Sequence, residues 1–257
     1  MSDAVFVPSF ASSAPVYAAG GAMLESQLRE GEWSPSAETE PSLWELFCSA
    51  DDAAADGLAL AFALHLGAIR GKAAPAWLWV QDSRSIHLSG RTCIHGLPAQ
   101  LQSNLLHVAA SRPVDALWAM EEGVRCRALS FVIGEIAGNP TALDFTATRR
   151  LVLASARSGV PLFLIRRGAE RELSAARMRW QVSAGPSEPD AWDPRAPGSP
   201  TASAQLFRAR AFRPGEFTLA HGVNGDERAG GKAAGDRLHL VSKPRDRAVE
   251  EGARAAG

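Results

Sequence analysis

The chain is poor in lysine and cysteine, and has no apolar run of membrane-spanning length. Lysine occurs only at Lys72, Lys232 and Lys243, and arginine supplies the rest of the positive charge. That charge therefore sits on planar forks suited to bidentate contacts rather than on point-like ammonium groups. Cys48, Cys93 and Cys126 are odd in number and widely spaced, which argues against a disulfide framework. They predict a reduced, cytoplasmic protein with buried thiols at Cys48 and Cys126, which lie in or beside apolar stretches. The longest apolar run, around residues 57–69, is too short to span a bilayer and contains His65. The N-terminus begins acidic and lacks a continuous apolar stretch, so neither a signal peptide nor a membrane anchor is expected. A net charge of −1 argues against an obligate nucleic-acid binder.

A local absence says more. Residues 43–49 (LWELFCS) predict a buried strand, and residues 57–67 (GLALAFALHLG) the apolar helix behind it. A phosphate-binding turn between them would need glycines exposing backbone N–H groups and a lysine reaching the outer phosphates. Residues 50–56 contain no lysine and no glycine, but do contain Asp51, Asp52 and Asp56. Carboxylates there suit the positive end of a helix dipole, by roughly 0.3–1 kcal/mol each, and would repel a triphosphate. The turn reads as a degenerate P-loop.

What is present is an alternation of apolar strands and helices. Strands are expected at 43–49, 76–82, 105–110, 129–136 and 160–166, with helices at 56–70, 89–101, 113–126 and 144–158. Continuous apolar strands separated by helices predict an α/β fold, a mostly parallel central sheet with helices on both faces. Ser111 is the expected cap of the helix carrying Pro113, with Val114, Leu117 and Trp118 marking its buried stripe. Asp144 caps the next helix, which turns Leu151 and Ala154 inward and ends at Gly159. Strands at 178–184, 204–212 and 216–221 extend the sheet antiparallel, with Pro214-Gly215 as a turn and one short edge strand at 237–242. Residues 1–40 read as a flexible acidic arm with a short helix near 23–29, residues 41–222 as one domain, and 223–257 as a Gly-rich, mixed-charge tail.

This succession resembles the RecA-like core. The 76–82 strand ends at Gln81-Asp82 where that fold delivers a catalytic glutamate, and the 129–136 strand ends at Gly134-Glu135 where it delivers a magnesium-binding aspartate. Within the superfamily the chain is most similar to the ImuA family, RecA/SulA-like proteins of the mutagenesis cassette induced by DNA damage. The segments ALWAMEEGVRCRALSFVIGEIAGNPTALDFTATRRLVLASARSGVPLFLIRRG and SAARMRWQVSAGPS carry the likeness, which is closest over residues 41–187. EGEWSPSAETEPS replaces the glycine-rich lead-in of many members. The resemblance implies a non-catalytic accessory protein of SOS translesion synthesis. Its partners would be a Y-family-like polymerase homologue, an error-prone replicative-type polymerase and RecA. A divergent RecA-like ATPase and a SulA-like inhibitor of cell division are the alternatives from the same superfamily.

No catalytic, cofactor or metal residue is assigned. Gly230-Gly231-Lys232 fails as a P-loop, with Asp226 in place of the first glycine and Ala233 in place of the hydroxyl. Glu135 is expected to cap its loop or pair with an arginine. Cys93 and His95 lack a second ligand pair, His65 reads as a packed core residue, and Glu121-Glu122 as solvated. Charge is uneven: residues 1–59 are acidic with Arg29 their one base, whereas Arg149, Arg150, Arg157, Arg166, Arg167, Arg171, Arg177 and Arg179 face only Glu170 and Glu172. Arg149, Arg150, Arg166, Arg167, Arg171, Arg177 and Arg179 with Trp180 form the candidate surface. Single-stranded DNA, held by charge and stacking, and a protein partner both remain open as its ligand.

Overall fold

The computed structural model describes residues 31–35, 42–69, 76–187, 193, 195–196, 198–222 and 237–242. The elements run β1 (Leu43–Cys48), α1 (Ala54–Ile69), β2 (Trp77–Asp82), α2 (Ser83–Ser89), α3 (Ala99–Gln102), β3 (Leu105–Ala110), α4 (Pro113–Arg125), β4 (Val132–Ala137), α5 (Phe145–Ser158), β5 (Leu162–Arg167), β6 (Met178–Ala184), β7 (Thr201–Ala209), β8 (Gly215–Gly222) and β9 (Arg237–Ser242). They form one sheet in the order β3-β2-β4-β5-β1-β6-β7-β8-β9.

Strands β1, β2, β4 and β5 are buried along their whole length, which is why they read as continuous rather than alternating apolar runs. The expected antiparallel extension begins one strand later than the sequence indicated. Strand β6 lies parallel to β1, and the antiparallel pairs are β6–β7, β7–β8 and β8–β9. The segment 168–177 makes this crossover without a helix. At about 3.3 Å per residue it is long enough to return along a six-residue strand. The helix expected at 89–101 is instead α2, a 3-10 turn at Ile94–Gly96 and α3.

The two sheet faces are packed differently. The α1 side is aromatic: Trp33, Trp44, Phe62, Trp77, Phe163, Trp180 and Phe217 belong to one buried cluster. Trp33 is fully buried, edge-on to Trp180 at 4.7 Å between centroids, and Gly31 O accepts from Arg213 N at 2.8 Å. The packed core thus reaches upstream of residue 41, into the stretch expected to be a flexible arm. The α4–α5 side is aliphatic, built on Leu43, Val80, Leu117, Met120, Val132, Leu151 and Leu164. The expected helix near 23–29 and the Gly230-Gly231-Lys232 triplet lie outside the described residues.

Helix α5 forms as expected. Asp144 Oδ1 accepts from Ala147 N at 2.7 Å, Leu151 and Ala154 are buried, and Gly159 closes the helix at φ 79°. Helix α4 differs in two ways. Its N-cap is Arg112, without a side-chain cap, rather than Ser111, and Val114 and Trp118 face outward. The cause is Gly123, which meets the sheet so closely that a Cβ there would collide with Leu78. Five residues of helix are about 140° of rotation, so a helix that lays Gly123 on the sheet turns Trp118 away from it. Among the described residues no helix is long and apolar enough to cross a membrane.

Candidate functional site

The C-terminal ends of the parallel strands, where α/β folds place ligands, converge on one guanidinium. Arg167, the last residue of β5, is buried. Its Nε donates to Glu135 Oε1 on β4 at 2.8 Å, its Nη1 to the Asp52 carbonyl at 2.7 Å, and its Nη2 to both Asp56 carboxylate oxygens at 2.8 Å. These contacts occupy most of the five N–H donors of an arginine. The acidic turn before α1, the end of β4 and the end of β5 are thereby tied into one unit.

The backbone of the turn is equally engaged. Ala54 N donates to Asp52 Oδ1 at 2.7 Å, while Asp56 N and Gly57 N donate to Ala53 O. Asp52 Oδ2 accepts from Ala184 N at 2.9 Å, fastening the turn to the end of β6. Ala54 N, Asp56 N and Gly57 N at the helix start are thus engaged within the turn, and Arg167 supplies the cation for the Asp56 carboxylate. Asp51 stays exposed, hydrogen-bonded to Ser49 Oγ at 2.8 Å.

Glu135 is the hub of the polar chain. Its Oε2 accepts from Gln81 Nε2 at 2.7 Å and its Oε1 from Ser89 Oγ at 2.8 Å, while Gln81 Oε1 meets His107 Nε2 at 2.8 Å. Glu135 therefore pairs with an arginine, one of its two expected roles. Asp82 caps α2, accepting from Ser85 N at 2.8 Å. Burial first, and the Glu135 carboxylate second, push Asp56 up to about 6 against the pull of Arg167. Burial also opposes the Arg167 charge, but Asp56 and Glu135 outweigh it and hold the guanidinium above its usual range. Burial likewise pushes the Cys48 thiol up to about 12, leaving it without nucleophilic character at neutral pH. Cys126, expected to be buried, is exposed.

The candidate surface is corrected by burial. Arg166, Arg167, Arg179 and Trp180 are interior residues and present nothing to DNA or a partner. Arg179 donates from Nε to Glu45 Oε2 at 2.6 Å and from Nη2 to Glu172 O at 2.8 Å. Arg166 lies 3.6 Å from Glu45 Oε1 and donates to Gly138 O at 3.2 Å. Both guanidinium groups also stack near the Phe47 ring. Glu45 is on β1, so each of these arginines is matched by an acid on a neighbouring strand, a pairing that linear sequence does not display. Arg149 and Arg150 are exposed on α5, Arg177 is half-buried, and Arg171 is exposed with its guanidinium 4.0 Å from the Phe207 centroid. They are divided between α5 and the segment joining β5 to β6, and without the four interior residues they no longer make up the surface their spacing suggested.

The two loops beyond β4 and β5 are clipped together: Asn139 Nδ2 donates to Glu170 O at 3.1 Å, and Glu170 N to Asn139 Oδ1 at 2.7 Å. Glu121, expected to be solvated, is buried between α4 and α5, where it pairs with Arg125 and Arg150. Cys93 and His95 are exposed at the 3-10 turn, and no group of three or more His, Cys, Asp or Glu among the described residues is placed to hold a metal ion. Sequence reading gave Ser89 and His107 no role and placed Gln81 only at a strand end, without its bonds to Glu135 and His107. The available signal was the pair Arg166-Arg167 ending an apolar strand, which requires buried acids nearby. No protein-family model matches the chain, and no curated protein matches it.

Proposed function

We propose that the chain is a non-catalytic interaction protein of DNA-damage-induced mutagenic translesion synthesis, built on a degenerate RecA-like domain as its ImuA-like segments imply. The observation that carries the non-catalytic part is the Arg167 bridge. The cation beside the turn already holds Asp56 and Glu135 and the Asp52 carbonyl, and the N–H groups of Ala54, Asp56 and Gly57 at the start of α1 are engaged within the turn. A nucleotide would have to compete with Asp56 and Glu135 for the Arg167 guanidinium and with Asp52 for the Ala54 N–H. Glu135 and Asp82, the residues an ATPase would use on magnesium, serve as the partner of Arg167 and as a helix cap. The RecA-like part is supported by a parallel sheet whose strands coincide with the segments carrying the likeness.

A scaffold that preserves its packing and closes its chemical site works through its surfaces. In this reading the protein holds together a Y-family-like polymerase homologue and an error-prone replicative-type polymerase, and contacts RecA. The test is co-purification with the polymerase homologue and with RecA, run beside titration with magnesium and ATP. Complex formation without saturable nucleotide binding is the expected result. Absence of any complex would overturn the role in mutagenesis, and ATP binding abolished by Glu135→Ala would overturn the non-catalytic reading.

A further inference from the structure

One face of the molecule combines unpartnered apolar side chains with surplus positive charge. Along α4, Val114, Trp118, Glu121 and Arg125 fall at i, i+4, i+7 and i+11, one continuous stripe of the helix. Trp118 is 66% exposed and Val114 49%, and Leu153 on the adjacent α5 is 46% exposed. Between the helices runs a groove of about 320 Å³, lined by Arg125, Arg127, Arg150, Leu153 and Arg157 around the buried Glu121. Arg125 and Arg150 are engaged by Glu121 and Glu122. Among the described residues Arg127 donates to the Arg157 carbonyl at 3.4 Å and makes no ion pair, and the guanidinium groups of Arg149 and Arg157 make none either.

We propose that the α4–α5 face docks an acidic amphipathic segment of a protein partner. An apolar side chain of that segment would seat against Trp118 and Leu153, and flanking Asp or Glu residues would meet Arg127, Arg149 and Arg157. A solvent-facing tryptophan beside arginines is the composition of an interface centre, and planar guanidinium groups bind carboxylates bidentately. Nucleic acid fits the same face less well. Beyond Trp118, Val114 and Leu153 offer apolar surface but no ring on which a base could stack. The proposal rests on the reading of the chain as an interaction protein and adds to it the surface and the chemistry of the partner.

The test uses the full chain and a fluorescent amphipathic helix of about 18 residues, leucine on one face and glutamate on the other, with a control in which lysine replaces glutamate. The glutamate peptide should bind and the lysine peptide should not. Trp118→Ser with Leu153→Ser should weaken binding by about tenfold or more, and Arg157→Glu by several fold, all with unchanged melting temperatures because these side chains lie at the surface. Equal binding of both peptides, or binding of neither, overturns the proposal. So does displacement by single-stranded oligonucleotide, or a dimer of this chain that the Trp118 variant dissolves. The same variants tested against the polymerase homologue separate the two readings. A polymerase complex indifferent to them removes this face as the docking site, whereas peptide binding without any polymerase complex removes the role in mutagenesis.

Discussion

Arg166, Arg167 and Arg179 are 2%, 1% and 4% exposed, whereas Arg149, Arg150 and Arg157 stand on the outer side of α5, although all six fall within residues 149–179. The interior three follow strands and meet acids from other strands or from the first turn of α1: Glu45, Glu135 and Asp56. The exterior three follow helical spacing, and among the described residues Arg150 is the one of them with an acidic partner, Glu121. A buried charge needs its counter-charge and its hydrogen bonds already in place, so the interior set works as internal bracing. The exterior set keeps its charge available. Density of arginine along the chain therefore says little about surface potential until burial divides the residues.

That division can be broken at its strongest point. Arg167→Ala leaves Asp56 and Glu135 in the interior without a cation and should destabilise the fold by about 3–5 kcal/mol in urea unfolding. A loss below about 1 kcal/mol would place Arg167 among the solvated arginines.

A second effect of similar or smaller size concerns pH. The folded state holds Asp56 at about 6, above its ordinary 3.8, so between those values the folded protein retains a proton that the unfolded chain has lost. Stability from this group is greatest at the acid end and declines as pH rises through the window, by on the order of 3 kcal/mol. Relative to Asp56→Asn, the wild type should be more stable at pH 4 than at pH 7 in paired denaturation curves. The opposite trend would mean that attraction to Arg167 outweighs burial.

The smallest effects belong to the exterior set. Arg149→Ala and Arg157→Ala should each change stability by less than about 0.5 kcal/mol, even though both stand within thirty residues of the interior arginines. A larger loss would show that the α4–α5 face is braced rather than open.

The sheet was largely legible in the sequence. Strands at residues 105–110, 178–184 and 237–242 fall where their patterns put them, and α5 keeps both its cap and its terminal glycine. The segment 83–102 was less legible, because short helical pieces joined by turns carry no sustained period. The orientation of α4 was misread because Trp118 is apolar at a spacing that suits a buried stripe, while the deciding contact is Gly123 against Leu78 on strand β2. The candidate site was legible only in part. The acidic turn showed that a phosphate cradle was missing, but its occupant comes from a strand more than one hundred residues away.

The sequence by itself determined the alternation of strands and helices, the apolar interior and a turn at residues 50–56 without glycine or lysine, since these depend on residue type and short-range spacing. Tertiary structure decided which arginines are interior, that β6 runs parallel to β1, that Trp33 belongs to the core, and that Arg167 closes the site. Each of these depends on which strands become neighbours. Pairing across a sheet is set by packing over the whole chain, so a charge and its counter-charge can be far apart in sequence and still share one hydrogen bond.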